Sequence, residues 1–135
     1  ADVVAEAVAR GTLLAGTSAG MNCAFEGSVT DSFGALAALR DGFALVSGSA
    51  CAHYRGEPGR REAYLGWVAS GVLPAGYGVD DHAAALFRDG VLVDAVSEVE
   101  GDGVVRVAAE GGSATETAVP TRLLRTDLTG AGAPA

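Results

Sequence analysis

Aromatic side chains make up only 6% of this 135-residue chain, and nine Lys and Arg stand against seventeen Asp and Glu, a formal charge of −8. So few cations exclude a protein that tracks a phosphate backbone, because no Lys/Arg stripe is present to release counterions. No apolar run approaches the ~18 residues of a membrane span, and no signal-peptide pattern opens the sequence. Neither nucleic acid nor membrane is therefore expected as a partner. Cys23 and Cys51 have neither metal-site nor disulfide-framework spacing. They read as reduced core residues, which places the chain in the cytoplasm with no metal and no cofactor. What is abundant is small and apolar: 49% of residues are hydrophobic, and 20 are glycine. That composition suits packed strands and helices and argues against disorder. The length allows one domain at most, with room for a core but little for a complete doubly wound enzyme. No internal repeat is visible.

The most informative stretch is Leu13-Leu14-Ala15-Gly16-Thr17-Ser18-Ala19-Gly20. A short apolar strand signal runs into Gly-x-Ser-x-Gly, and helix-compatible Met21-Asn22-Cys23-Ala24-Phe25 follows at once. A serine on a tight strand-to-helix turn projects its hydroxyl off the end of a sheet, and the backbone N–H groups beside it face developing negative charge. Small flanking residues suit a strained turn that brings backbone close to side chain. Chance matches come easily in so glycine-rich a chain. The apolar run before the motif makes Ser18 a candidate nucleophile all the same.

Along the chain, Asp2 to Arg10 carries Val4, Ala7 and Val8 at helical spacing, with Gly11 as a stop. Thr12–Gly16 reads as a strand buried on both faces, residues 19–25 as a helix, and 26–42 as mixed with a helical stretch near Leu36–Arg40. Phe43–Ser47 reads as a strand, Gly48–Gly59 as a loop holding Cys51, His53, Arg55 and Glu57, and Arg60–Ser70 as a helix. From Gly76 the period becomes that of strands. Tyr77–Val79, Ala83–Phe87 and Val91–Val96 are predicted, the last two joined by Asp89-Gly90, and Val104–Ala108 and Thr115–Val119 flank Gly111-Gly112 as a second hairpin. Residues 126–135 read as a frayed, disordered tail.

A serine nucleophile needs a base, and only His53 and His82 are available. His53 follows a strand signal, where active-site groups of open α/β sheets collect. His82 sits beside Asp80-Asp81. A carboxylate should orient the base and stabilise its cation. Asp31, Glu57, Asp80 and Asp81 are all candidates, and spacing alone does not separate them.

Gly-Thr-Ser-Ala-Gly-Met-Asn, a lone His in a strand-end loop, and Gly-x-Gly-x-Asp-Asp before two strands together resemble peptidase E. That family of aspartyl dipeptidases is related to cyanophycinase and more distantly to the class I glutamine amidotransferases. The resemblance runs from about Val4 to Val96. It implies a flavodoxin-like, doubly wound α/β sheet, here with C-terminal β-hairpins, and a serine peptidase that cleaves dipeptides with N-terminal aspartate through an acyl-enzyme. By this resemblance Ser18 is the nucleophile, Ala19 N–H one half of the oxyanion hole, and His53 the base. Asp81 falls where the family has glutamate, one methylene shorter, with Asp80 or Asp31 as alternatives. Arg61 matches the arginine that takes the substrate's aspartyl carboxylate, a role suited to a guanidinium fork. Gly16 and Asn22, in the same motif as Ser18, are counted with Arg61 as substrate-binding positions.

The family carries a further segment before the position of Asp2, supplying the first strands and a Gly-Gly-Asn-type loop that completes the oxyanion hole. The sequence thus reads as a C-terminal portion over residues 1–125, and a fragment, a processed chain or half of a split enzyme would fit. A central strand left at an exposed edge calls for cover, by a second copy or by the missing N-terminal half. Two rivals stand beside this reading: a non-catalytic relative, and an α/β-hydrolase-type esterase using Ser18, Asp31 and His53. The esterase order leaves little chain between serine and acid for the elements that such folds place there.

Overall fold

The computed structural model describes residues 2–125; the expected tail at 126–135 lies outside them. Helix α1 (Asp2–Ala9) leads to the short helix α2 (Ala19–Asn22), strand β1 (Phe25–Thr30) and strand β2 (Ala37–Leu39). Strand β3 (Val46–Ala52), helix α3 (Arg60–Ala69) and strand β4 (Gly76–Val79) follow. Two hairpins and a short strand complete the described chain: β5 (Ala83–Arg88) with β6 (Val91–Ser97), β7 (Val104–Glu110) with β8 (Ser113–Val119), and β9 (Arg122–Leu123).

The result is a mixed α/β fold. Six strands form one sheet in the order β2-β1-β3-β4-β7-β8, and β5, β6 and β9 form a second. Pairing is parallel at β1–β3 and β3–β4 and antiparallel at β1–β2, β4–β7 and β7–β8. On one face α3 buries Tyr64 and Val68 against Val29, Cys51, Val105 and Val107. On the other, Met21 and the β5–β6 hairpin cover Phe25, Ala50, Val79 and Val104. From Ser49 to Ala52 β3 is therefore buried on both sides. Among the described residues no helix is long and apolar enough to cross a membrane.

Both C-terminal hairpins turn where the sequence places them. Asp89 and Gly90 both have positive φ (51° and 76°), as do Gly111 and Gly112 (57° and 83°), the pattern of tight two-residue turns that match strand twist. Other segments differ from the sequence reading. Residues 12–16 join no ladder and are exposed, Leu13 at 81%. No described strand lies beside them, and a strand without a partner leaves its N–H and C=O groups unpaired. The helix after Ser18 stops at Asn22, because buried Phe25 already belongs to β1. Around Leu36–Arg40 the Ala/Leu-rich stretch is strand β2, since antiparallel pairing of Val29 with Ala38 overrides helix propensity. The largest correction is β3. Gly48–Ala52 reads as the start of a small-residue loop but belongs to a strand at the heart of the sheet, and the loop begins only at His53.

Small residues suit that position because large neighbours fill the space. Buried Ser49 meets Tyr64 Oη at 2.8 Å and donates to the Pro74 carbonyl at 2.5 Å, joining β3 to α3 and to the approach of β4. Next to it, the Tyr54 ring lies flat over Gly78, where a β-carbon would stand 2.6 Å from both Cδ atoms. Tyr54 is itself fully buried, with an edge-to-face contact to Tyr64. Gly78→Ala should therefore lower stability by about 1–3 kcal/mol, seen as a lower urea midpoint with unchanged slope. An unaltered midpoint would show that Tyr54 does not depend on that space.

Candidate active site

Ser18 sits at the N-terminal boundary of α2 with φ 51° and ψ −117°, a conformation that side-chain-bearing residues rarely adopt. Such backbone costs on the order of 1–3 kcal/mol and persists only where its surroundings over-determine it. Here the turn is closed by Gly20 N–H to Thr17 O at 2.8 Å and by Asn22 N–H to Ser18 O at 3.0 Å. The preceding chain folds back so tightly that a β-carbon on Gly16 would overlap the Gly20 carbonyl and stand 2.9 Å from Met21 N. Gly16 is thus required by sterics. Asn22, the other substrate-binding expectation from this motif, is buried in the wall of the cavity beside Ala19 and donates to Val29 O at 2.9 Å, tying α2 to β1.

The base arrives from β3. In the parallel β3–β4 ladder Ala52 is level with Val79, so His53 and the Asp80-Asp81 pair leave the sheet at the same end. His53 has positive φ (53°) and turns its ring toward Ser18. His53 Nε2 lies 2.8 Å from Ser18 Oγ, and Nδ1 is in contact with Asp81 Oδ1. The side chains of His53 and Asp81 are about one-third exposed, at 31% and 38%. Beside Ser18, the Ala19 N–H donates to no protein acceptor among the described residues. A cavity of about 150 Å³ opens there, with Ala19, Thr30, Phe33, Asp41 and Phe43 in its wall.

The other carboxylates are engaged elsewhere. Asp31 pairs with Arg60 at 3.1 Å, and Glu57 pairs with the same guanidinium at 2.5 Å. The Ser18–Asp31–His53 order of an esterase therefore has no counterpart in the structure. Asp80 is buried and accepts from Arg55 N–H at 3.1 Å, from the Arg55 guanidinium, and from Gly103 N–H at 2.8 Å. It staples the loop after His53 to the start of β7. His82 pairs with Asp102, whose hydrogen bond raises its pKa.

Arg61, expected to face a substrate carboxylate, already holds one. Its Nε donates to Glu116 Oε1 at 2.9 Å and its Nη2 to Oε2, while buried Tyr54 Oη donates to Oε1 at 2.6 Å. Hydrogen bonds from Arg61 hold the Glu116 carboxyl below its ordinary range, and burial pushes the Tyr54 phenol well up. Neither Glu116 nor the Arg55–Asp80 staple carries a sequence signal, since partners 55 and 25 residues apart meet only through the fold. Cys51 is inert, its thiol pushed up to about 12 by burial.

A Ser–His–carboxylate string on a strained turn is the arrangement of a serine hydrolase. The profile of peptidase family S51 matches residues 1–93, and the chain belongs to that family. It is also similar to a Bacillus subtilis (strain 168) protein named as the uncharacterized peptidase YgaJ, with 38% identity over 122 residues. Those residues cover 90% of this chain and 53% of that protein, so the chain spans about half the length of the curated relative it matches. No solved structure matches it significantly.

The Arg61–Glu116 pair gives a pH prediction. Because the folded state holds Glu116's pKa low, the pair's contribution is complete above the unfolded carboxylate pKa and disappears as pH falls through the depressed folded value. Glu116→Gln should cost up to about 1 kcal/mol at pH 7, as for a part-exposed pair, and nothing at strongly acid pH. Urea titrations at both pH values measure this; a pH-independent difference would contradict it.

Proposed function

We propose that this chain carries the catalytic centre of a serine peptidase, with Ser18 as nucleophile, His53 as general base and Asp81 as the group that orients it. The observation that supports this reading is the continuous contact string from Asp81 through His53 to Ser18 at a strained turn. Ser18 Oγ bonds to the scissile carbonyl carbon as its proton passes to His53 Nε2. The carbonyl oxygen becomes an oxyanion and accepts from Ala19 N–H. His53 then gives the proton to the leaving amine, the C–N bond breaks, and an acyl-enzyme remains. Water attacks that ester with His53 again as base, the acyl C–O bond breaks, and His53 returns the proton to Ser18 Oγ as the acid product leaves. Asp81 keeps the Nδ1–H tautomer in place and balances the imidazolium charge.

The finer assignments rest on the resemblance to peptidase E. The proposed substrates are dipeptides with N-terminal aspartate, and the proposed carboxylate ligand is Arg61. A substrate carboxylate would have to take Arg61's fork from Glu116. The parallel β1–β3–β4 core agrees with a flavodoxin-like sheet. A second oxyanion donor is proposed to come from a segment preceding these residues or from a partner chain, docking on the exposed 12–16 region. A cytoplasmic location is proposed from the reduced cysteines.

Hydrolysis of Asp-X dipeptides tests the scheme. Supplying a second oxyanion donor on an upstream segment should raise turnover about 10²–10³-fold. Ser18→Ala should abolish activity, and Asp81→Asn should lower kcat about 10⁴-fold, the scale known for loss of a triad aspartate. Asp31→Asn should be silent. Loss of activity in Asp31→Asn with a silent Asp81→Asn would overturn the assignment.

A further inference from the structure

We propose that Gly56 is a positioning residue, whose missing side chain is the space that seats the Asp81 carboxylate against His53. The inference rests on the Asp81–His53 couple of the proposed site. An ideal β-carbon built on Gly56 would lie 1.9 Å from Asp81 Oδ2, well inside contact distance, and 2.9 Å from its Cγ. The φ of Gly56 is not in the left-handed region, so the position excludes a side chain by volume and not by backbone conformation.

When two groups compete for one space, the less restrained one moves. The Gly56 turn is held at three points: Tyr54 N–H to Val79 O at 3.1 Å, Arg55 N–H to Asp80 Oδ1 at 3.1 Å, and Glu57 N–H to His53 O at 3.2 Å. Asp80 is further fixed by the Arg55 guanidinium and by Gly103 N–H. Among the described residues Asp81 has no such restraint apart from His53, and its side chain is 38% exposed. A methyl at 56 therefore rotates Asp81 toward solvent and leaves the turn where it is. The adjacent aspartates divide the work: Asp80 pins the loop, and the pinned loop seats Asp81.

Ring 15N shifts of His53 test this without depending on turnover. In the full chain carrying His82→Gln, the imidazole signals belong to His53 alone, since the chain has two histidines. The parent should show the neutral ring protonated on Nδ1. Gly56→Ala should show the same redistribution toward Nε2–H as Asp81→Asn, with little change in Tm, and should slow fluorophosphonate modification of Ser18 at least tenfold. Added to Asp81→Ala, Gly56→Ala should cause no further slowing. A Gly56→Ala ring that keeps the parent's Nδ1–H pattern, or a further tenfold loss in the double variant, would overturn the proposal. Should Gly56→Ala fail to fold, Asp81→Ala in the same chain should restore folding by removing the overlap, and failure to restore it would equally overturn the proposal. A parent without the Nδ1–H form would instead remove the Asp81–His53 couple itself, and the proposal with it.

Discussion

Ala52 lies level with Val79 in the parallel β3–β4 ladder, and the geometry of the site follows from that register. A slip of one residue would turn every side chain of one strand to the opposite face. Cys51 would leave the α3 side of the sheet, and His53 would leave Asp81. The register is defended by packing: Ser49 is held by Tyr64 and Pro74, and the Tyr54 ring fits only over a glycine at 78. The β3 residues are small because the groups that pack on them are large.

Around this frame two of the four described non-glycine residues with positive φ belong to the site. Ser18 and His53 both have positive φ without being glycine, and their side chains meet at 2.8 Å. Neither conformation is favourable alone. The Ser18 turn is stabilised by backbone hydrogen bonds within its own few residues, whereas His53 relies on groups from a distance: Val79, Asp80, Gly103 and Asp81. The site is thus a local device, the elbow, set against an assembled one, the loop after β3. Such constellations demand placement within about half an ångström, which explains the density of restraints on the 53–57 turn.

The part legible in the sequence is the part encoded locally. Gly16-Thr17-Ser18-Ala19-Gly20 carries its own turn geometry, α3 its spacing and its stop at Gly71, and the hairpins their Asp-Gly and Gly-Gly turns. Strand β3 was not legible beyond Ser47, because Gly-Ser-Ala-Cys-Ala has loop composition and becomes a strand only through neighbours on both faces. The 12–16 segment misled for the opposite reason, since its apolar run has strand composition but no described partner to pair with. Asp80 and Asp81 could not be told apart by spacing, because the difference lies in Arg55 and Gly103, one in a loop and the other at the start of β7. Glu116 and Gly103 lie beyond the stretch matched by the family profile, so only the three-dimensional arrangement connects them to the site.

The central claim is that Ser18, His53 and Asp81 form one activated nucleophile. The most direct measurement is mass-spectrometric mapping of the adduct left by a fluorophosphonate on the folded chain. The account predicts a single phosphonylated peptide containing Ser18, absent when His53 is replaced by Ala and present when His82 is replaced by Gln. Modification at another residue, no modification of the folded chain, or labelling of Ser18 indifferent to the loss of His53 would contradict it.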